Sequence, residues 1–327
     1  MNLIKTILKE IIFLFSNFKT ILKYILIDLI KFIRKIRIYK KYLNIKNLES
    51  SQSEFDSTIT ELDNSIFLFN KKEFNENSNT SFTKRTEFNY FKNSGDSINK
   101  FLIKNIVKEG DTVIDIGAHI GLYSVFLSKL VGPSGKVICF EPHEQVVKRL
   151  YNNLLINGLN NYEIHNYGVG DKDEEADFNM VLEEKMFEGT VNSSFLENEK
   201  IDSNYFDGKF IKKKTKVKKL DSLFNEQKIK FIKIDTEGYE FNILVGMKNL
   251  IKKFKPIIIA EYQTKRLKHL KIDINLFKKI TEENYNAFKI LIDVTTNSVA
   301  LKEFFFDDEK EYSGDLLFLP KISNIKK

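Results

Sequence analysis

The spacing of apolar residues changes near residue 95, and the two parts of the chain predict different structures. Beyond that point, short apolar runs alternate with stretches in which apolar residues recur every three or four positions. The predicted strands are 112–116, 137–140, 162–166, 231–234, 257–261, 288–293 and 315–319. The predicted helices are 122–131, 144–157, 239–252 and 274–284. Strands that alternate with helices indicate an α/β fold, doubly wound around a mostly parallel sheet of seven strands.

Two further segments complete this part of the chain. Residues 171–222 interrupt the alternation and predict an inserted β-hairpin whose polar loop covers residues 183–213. Ahead of the first strand, a helix is expected to begin near Asp96 or Ser97, both favourable N-cap residues, and to end before Gly110. We therefore assign the folded domain to residues 95–320.

The first 94 residues contain neither glycine nor proline and predict a different organisation. Between residues 3 and 38, apolar side chains recur with helical spacing and lysines occupy the opposite face, which predicts an amphipathic helix. Residues 1–43 therefore form a basic helical appendage in this interpretation. Residues 44–94 are rich in Asn, Ser, Glu and Lys and are interpreted as a polar linker, in which residues 65–69 are a possible lone strand.

The positive charge of the chain is concentrated at its N-terminal end. Residues 1–50 hold 11 basic and 3 acidic side chains, a net of +8, so the other 41 basic and 42 acidic side chains give −1. A basic tail at 321–327 follows the domain. This distribution does not favour a nucleic-acid partner for the domain. The single cysteine excludes an internal disulfide and a zinc site built from several cysteines.

The basic helix allows two interpretations. Its longest uncharged run, residues 11–18, is too short to cross a bilayer, but a basic amphipathic helix can lie on an anionic membrane surface. Residues 1–40 could instead pack on the domain or on a second subunit of a homo-oligomer. The expected location is cytoplasmic, with possible peripheral contact at the inner face of the membrane.

The segment 113–121 carries the clearest chemical signal. An apolar strand reaches Asp115 and then turns through Gly117 and Gly121 into a helix, whose first N–H groups are free to bind a polar ligand. Dinucleotide-binding turns prefer G-x-G-x-x-G, whereas this turn has G-x-x-x-G with an aspartate two residues before the first glycine. Such an aspartate can bind the amine of S-adenosylmethionine, so the spacing favours that cofactor.

Glu141 is a second candidate for cofactor binding and is expected to lie close to this turn. It ends the second strand, 24 residues after Gly117, where Rossmann-like folds place the acid that binds the ribose hydroxyls. Its alternative role is a carboxylate placed at a helix start, where the helix dipole favours negative charge. Two other functions stay open at this point: a nicotinamide-dependent oxidoreductase and a non-catalytic, membrane-associated protein.

These residues resemble the FkbM family of S-adenosylmethionine-dependent methyltransferases. The segments that carry the resemblance are 111–121, 135–137, 140–142, 168–171 and, most specifically, 232–240. The resemblance implies a class I, Rossmann-like methyltransferase fold and the methylation of hydroxyl oxygens on sugars, polyketides or related small molecules. The expected cofactor-binding residues are Asp115, Gly117, Ala118, His119, Gly121, Glu141, Pro142, Gly168, Val169 and Asp235. The chain departs from the family at His119, where Asn is usual, and at Thr236, where Val is more frequent.

Three carboxylates are the candidates for catalysis. Asp235, Glu237 and Glu261 follow the ends of two predicted strands, at the edge of the sheet where α/β proteins bind ligands. Asp235 is expected to face the methyl-transfer centre, and Glu237 or Glu261 to accept the hydroxyl proton as general base. Glu237 could instead only start the next helix. A divalent cation is possible there but not predicted, and the preferred acceptor is a sugar hydroxyl of a glycan or glycolipid.

Overall fold

The computed structural model describes residues 57–62, 65–70, 96–181, 210–269, 273–293, 298–306 and 311–321. All of them belong to the unit that spans Asp56–Lys327. The predicted basic helix at 1–43, most of the predicted linker and residues 322–327 of the tail lie outside the described residues. Within the described part of the chain, no helix combines the length and the apolarity needed to span a bilayer.

Thirteen strands and eight helices are described. The strands are β1 (Ser57–Leu62), β2 (Ser65–Asn70), β3 (Thr112–Ile116), β4 (Lys136–Phe140), β5 (Tyr162–His165), β6 (Gly168–Val169), β7 (Glu174–Val181), β8 (Phe210–Lys218), β9 (Phe231–Ile234), β10 (Ile257–Gln263), β11 (Tyr285–Asp293), β12 (Ser298–Glu303) and β13 (Ser313–Pro320). The helices are α1 (Asp96–Ile106), α2 (Leu122–Val131), α3 (Glu144–Ile156), α4 (Leu220–Leu223), α5 (Glu240–Gly246), α6 (Lys248–Phe254), α7 (Thr264–His269) and α8 (Ile274–Glu282).

The central sheet has eight strands in the order β12-β11-β13-β10-β9-β3-β4-β5. The five strands from β10 to β5 are parallel, whereas β13, β11 and β12 each pair antiparallel with their neighbours. The predicted α/β fold with a mostly parallel sheet is confirmed, but the predicted strand number of seven is wrong. The additional strand is β12, whose apolar run of three residues at 299–301 is shorter than the usual strand signal.

Both faces of the sheet are buried, which explains why its strands are apolar in consecutive positions. Phe231 and its neighbours on one face pack against α1, α2 and α3, while Ile232 on the other face packs against α5 and α6. Because successive side chains of a strand point to opposite faces, one apolar strand supplies two hydrophobic cores. A polar side chain inside such a strand therefore needs a specific partner.

The inserted hairpin is present. β7 pairs antiparallel with β8, and β6 pairs parallel with β8, which gives a separate three-stranded sheet. β8 begins at Phe210, inside the loop predicted for 183–213. The lysines at its start resemble a polar loop in sequence, but Lys214 forms an ion pair with Asp177 on β7, at 2.8 Å. This part of β8 is therefore paired in the sheet although its sequence lacks the apolar alternation that marks a strand.

Two other segments differ from the predicted elements. The strand expected to stand alone at 65–69 is β2, which pairs antiparallel with β1 and exchanges two hydrogen bonds between Ile66 and the Asn157 side chain, at 3.0 and 2.7 Å. The single helix expected at 239–252 is divided into α5 and α6. The break follows Gly246, where the backbone lies so close to Gly170 that an added Cβ would be 1.8 Å from its carbonyl oxygen.

Candidate active site

A cavity lies at the carboxyl ends of β3, β4 and β9, where the sequence predicted a site. The residues of the predicted site that line it are Asp115, Gly117, Ala118, His119, Glu141, Pro142, Gly168, Val169, Asp235 and Glu237. Gly121 and Glu261 are not among its lining residues. The strand ends thus bring most of the predicted site together, although these residues are spread over more than 120 positions of the chain.

The turn after β3 needs left-handed backbone at three positions. Gly117, His119 and Gly121 have φ angles of 77°, 50° and 91°. An added Cβ at Gly117 would lie 1.8 Å from the carbonyl oxygen of Asp235, so only glycine fits between β3 and β9. Gly121 packs on α3 instead, 2.6 Å from the Leu150 side chain by the same measure. The predicted cofactor contact of Gly121 therefore has no support from the cavity lining, and its place explains how α2 approaches α3.

Glu141 fixes this turn and also lines the cavity. Its two carboxylate oxygens accept the backbone N–H groups of His119 and His143, each at 2.9 Å. Burial raises the pKa of Glu141 to about 7, although these two hydrogen bonds oppose the shift. A carboxylate has about four acceptor positions, so two are left for ligand hydroxyl groups. The site fits the ribose of S-adenosylmethionine, and the helix-start role also applies, since His143 is the N-cap residue of α3.

Asp115 presents an unused acceptor to the cavity. Its side chain is buried, and Oδ2 accepts the Ser124 hydroxyl at 2.6 Å. Oδ1 is also buried but has no hydrogen-bond partner among the described residues. Burial raises the pKa of Asp115, while the Lys233 ammonium opposes that shift. A buried, unsatisfied carboxylate oxygen is rare and costly, so its position on the cavity wall fits a bound cationic amine.

Lys233 is a cavity residue that the sequence analysis did not assign. It lies inside β9, which is otherwise apolar, and only 5% of it is exposed. Its Nζ lies 2.8 Å from Asp235 Oδ2 and 4.3 Å from the centre of the Tyr123 ring. Burial alone would lower the pKa of Lys233, but the nearby Asp235 and Asp115 outweigh burial and raise it above its usual value. The signal in sequence was a lysine within a buried strand, which requires a partner.

A tight turn carries Asp235 and Glu237 into the cavity. Glu237 has a left-handed φ of 55°, and Gly238 follows with 108°. Oε1 of Glu240 accepts the N–H of Thr236 at 2.9 Å, its hydroxyl at 3.1 Å and the N–H of Gly238 at 3.2 Å. Glu240 is the first residue of α5, so it stabilises the turn that holds the two predicted catalytic carboxylates.

Glu261 lies on β10, the strand next to β9 and this turn. It follows Ala260, which pairs in register with Ile234, so Glu261 is level with Asp235 on the neighbouring strand. Burial raises the pKa of Glu261 to about 9, with further contributions from the Asp235 and Glu237 carboxylates. Its Oε1 accepts a hydrogen bond from Gln263. The negative charges of Asp235 and Glu237 thus favour the protonated form of Glu261. The catalytic role of Glu261 stays a prediction.

Aromatic side chains form the remaining wall. Phe140, Tyr167, Phe178 and Tyr239 line the cavity together with the apolar residue Val169. Phe178 belongs to the inserted hairpin, which carries no motif from which this individual contact could be predicted. Among the described residues, no group of three His, Cys, Asp or Glu side chains is placed to hold a metal ion.

The comparisons with known proteins agree with these observations. A family model described as the methyltransferase FkbM domain matches residues 115–286. No curated protein sequence matches the chain. The match covers more than half of the chain and includes the turn after β3, Glu141 and the 235–240 segment.

Solved structures of methyltransferases are only distantly similar. The methyltransferase FkbM of Methylobacillus flagellatus has 15% identity and a TM-score of 0.39 over 67% of this chain and 50% of its own, so the chain spans half the length of that protein. An rRNA methylase of Streptococcus thermophilus has 11% identity and a TM-score of 0.38, over 69% and 95% of the two chains. An S-adenosylmethionine-dependent O-methyltransferase of Thermotoga maritima has 15% identity and a TM-score of 0.36, over 70% and 66%.

At this distance the structural likenesses carry no argument about the acceptor. The family match, the G-x-x-x-G turn and the cavity carboxylates favour a methyltransferase over the two alternatives, an oxidoreductase and a non-catalytic protein. S-adenosylmethionine is the cofactor, and the α/β sheet is that of a class I enzyme. The chain belongs to the FkbM methyltransferase family and is an S-adenosylmethionine-dependent methyltransferase.

Proposed function

We propose that the protein methylates a hydroxyl group of a sugar in a glycan or glycolipid. The observation that carries this proposal is the charge of the cavity wall where the acceptor is expected, which holds the carboxylates of Asp235 and Glu237 and the Lys233 ammonium paired with Asp235. Carboxylates accept hydrogen bonds from hydroxyl groups and repel phosphates. A neutral polyol suits this wall better than a nucleic acid does.

Asp235 and Glu237 would have different roles in methyl transfer. The cofactor supplies an electrophilic methyl group on a sulfonium, and the protein has to align the acceptor oxygen with it. Alignment of this kind can contribute about 7–11 kcal/mol. Asp235, held at one oxygen by Lys233, would accept the hydrogen bond of the acceptor hydroxyl and orient it. Glu237, beside it on the same turn, would accept the proton, with a contribution of roughly 10²- to 10⁴-fold in rate.

Glu261 is the alternative general base. A carboxylate with a pKa of about 9 is a strong proton acceptor once it is ionised, but it is mostly protonated at neutral pH. If Glu261 were the base, the rate would rise with pH up to about 9. If Glu237 were the base, Glu237→Gln would remove the activity and Glu261→Gln would not.

The acceptor class can be tested with S-adenosylmethionine that carries a tritiated methyl group. The enzyme is incubated with neutral glycans, with glycolipids and with total RNA, and the labelled products are hydrolysed. We expect the label in O-methyl sugars. Label in RNA, with none in carbohydrate, would contradict the proposal.

Asp235→Asn tests the catalytic role of Asp235, because the substitution keeps the shape of the side chain and removes its charge. We expect a fall in kcat of roughly 10²-fold or more, with little change in cofactor affinity measured by calorimetry. A preserved kcat in the folded variant would show that Asp235 has no catalytic role. Inhibition of the parent enzyme by a chelator, reversed by Mg²⁺, would indicate a metal-dependent mechanism instead.

A further inference from the structure

The ammonium group of Lys233 has hydrogen-bonding capacity that the protein does not use. It is buried on the cavity wall and donates one hydrogen bond, to Asp235 Oδ2 at 2.8 Å. The Tyr123 ring, 4.3 Å away, occupies a second direction. A lysine has three N–H donors, and no further acceptor for them is found among the described residues. Buried charged groups seldom leave donors unfilled, so this one is suited to a ligand.

Asp115 lies beside Lys233 and presents a carboxylate, a group of opposite charge. The parallel register pairs Asp115 of β3 with Lys233 of β9, so the two side chains leave the sheet on the same face, about 5 Å apart at the backbone. Oδ1 of Asp115 is buried without a partner among the described residues. Each residue alters the pKa of the other, but the two side chains do not form an ion pair in the described structure. The cationic donor Lys233 and the anionic acceptor Asp115, each with unused hydrogen-bonding capacity, therefore lie next to each other.

This pair matches the two charges of an α-amino acid, whose carboxylate and ammonium are attached to one carbon. S-adenosylmethionine ends in such a group. We propose that Lys233 is a cofactor-binding residue that donates to the carboxylate of the methionine moiety, while Asp115 accepts from its amine. The ion pair with Asp235 and the contact with Tyr123 hold the ammonium in place for this purpose.

The surroundings of Lys233 support a permanent charge at this position. Asp315 of β13 adds to the negative potential that acts on Lys233, and the Asn99 side chain of α1 donates a hydrogen bond to Asp315. Burying a cation is costly unless it is paired and hydrogen-bonded. An aliphatic residue would fill this place in β9 without that cost, so the lysine indicates that the cavity wall needs a cation here.

Calorimetry with two forms of the cofactor tests this assignment without any acceptor. S-adenosylmethionine and decarboxylated S-adenosylmethionine differ only in the carboxylate. We expect the parent protein to bind the complete cofactor at least about tenfold more tightly, as a hydrogen bond between charged groups implies. Lys233→Met should reduce this preference to less than about threefold by weakening only the binding of the complete cofactor.

Two controls separate a direct contact from a structural effect. Lys233→Arg keeps the charge and should keep most of the preference, and Lys252→Met, at an exposed position of α6, should leave both affinities unchanged. An equal loss for both ligands in Lys233→Met would mean that Lys233 stabilises the site without contacting the carboxylate, and would overturn the assignment. If that variant does not fold, the parent protein still decides, because equal binding of the two cofactors would refute a carboxylate contact. None of these results depends on the acceptor, so they are independent of the proposed function.

Discussion

At the scale of single residues, the site depends on side chains that serve the fold and the ligand together. Glu141 is the clearest case, because it fixes the turn after β3 with two backbone hydrogen bonds and keeps acceptor positions open to the cavity. The glycine turn and the acid at the end of the second strand could be predicted because both follow directly from strand ends. Lys233 and Phe178 could not, since their roles depend on the register of β9 with β3 and on the packing of the inserted hairpin.

The pKa of Glu141 leads to a prediction about cofactor binding. The carboxylate is protonated below pH 7 and ionised above it, and the ionised form is the better acceptor for ribose hydroxyls. Affinity for S-adenosylmethionine should therefore rise about tenfold between pH 6 and pH 8 through this group, since the ionised fraction rises by that factor. Calorimetry at several pH values measures the change.

Glu141→Gln is the control for this effect. It should bind the cofactor at least tenfold more weakly at pH 8 and should lose the part of the pH dependence that belongs to Glu141. The ribose assignment fails if the folded variant binds as tightly as the parent protein at pH 8.

At the scale of elements, the site is set by how closely two strands approach. The positions of the five strands in the parallel half could be predicted from apolar runs, because those strands are buried on both faces. The antiparallel half could not be predicted as well, because β12 has a short apolar run. In the separate three-stranded sheet, the start of β8 was also missed, because its run of lysines does not resemble a strand. The division of the predicted helix at 239–252 arises from a contact with the loop after β6, which leaves no local signal.

Gly117→Ala tests the approach of β3 to β9. The new Cβ would overlap the Asp235 carbonyl, so the turn has to move, and we expect at least a tenfold loss in cofactor affinity. Gly110→Ala is a matched control, because Gly110 also has a left-handed φ, of 86°, but its Cβ would lie 3.7 Å from the nearest atom.

Each substitution introduces the strain of a left-handed alanine, about 1–2 kcal/mol, which alone should lower the Tm by a few degrees. Gly117→Ala adds the overlap with the Asp235 carbonyl, so its Tm should fall further than that of Gly110→Ala. Only Gly117→Ala should also impair binding. Equal cofactor affinities for the two variants would show that the close contact at Gly117 does not matter for the ligand.

At the scale of the whole molecule, the charge of the chain is divided between its two parts, since residues 1–50 carry +8 and the remainder −1. If residues 1–40 bind an anionic membrane surface, sedimentation with anionic vesicles should decrease as salt increases, because exposed charges are screened beyond about 8–10 Å near physiological ionic strength. Deleting residues 1–40 should abolish the sedimentation and leave the affinity for S-adenosylmethionine unchanged. Dissociation of an oligomer on a sizing column, with unchanged vesicle binding, would favour the packing interpretation instead.

The position of β13 has a consequence for the synthesis of the protein. This strand is the last of the eight to be made, yet it lies inside the sheet, between β10 and β11. Its first residue follows the end of β10 by 50 positions. At about 5–20 residues per second, a ribosome needs several seconds to bridge that interval. The edge of β10 that β13 will cover stays unpaired for this whole interval, and that of β11 stays unpaired from its own synthesis onward, so the sheet closes only after β13 has been translated.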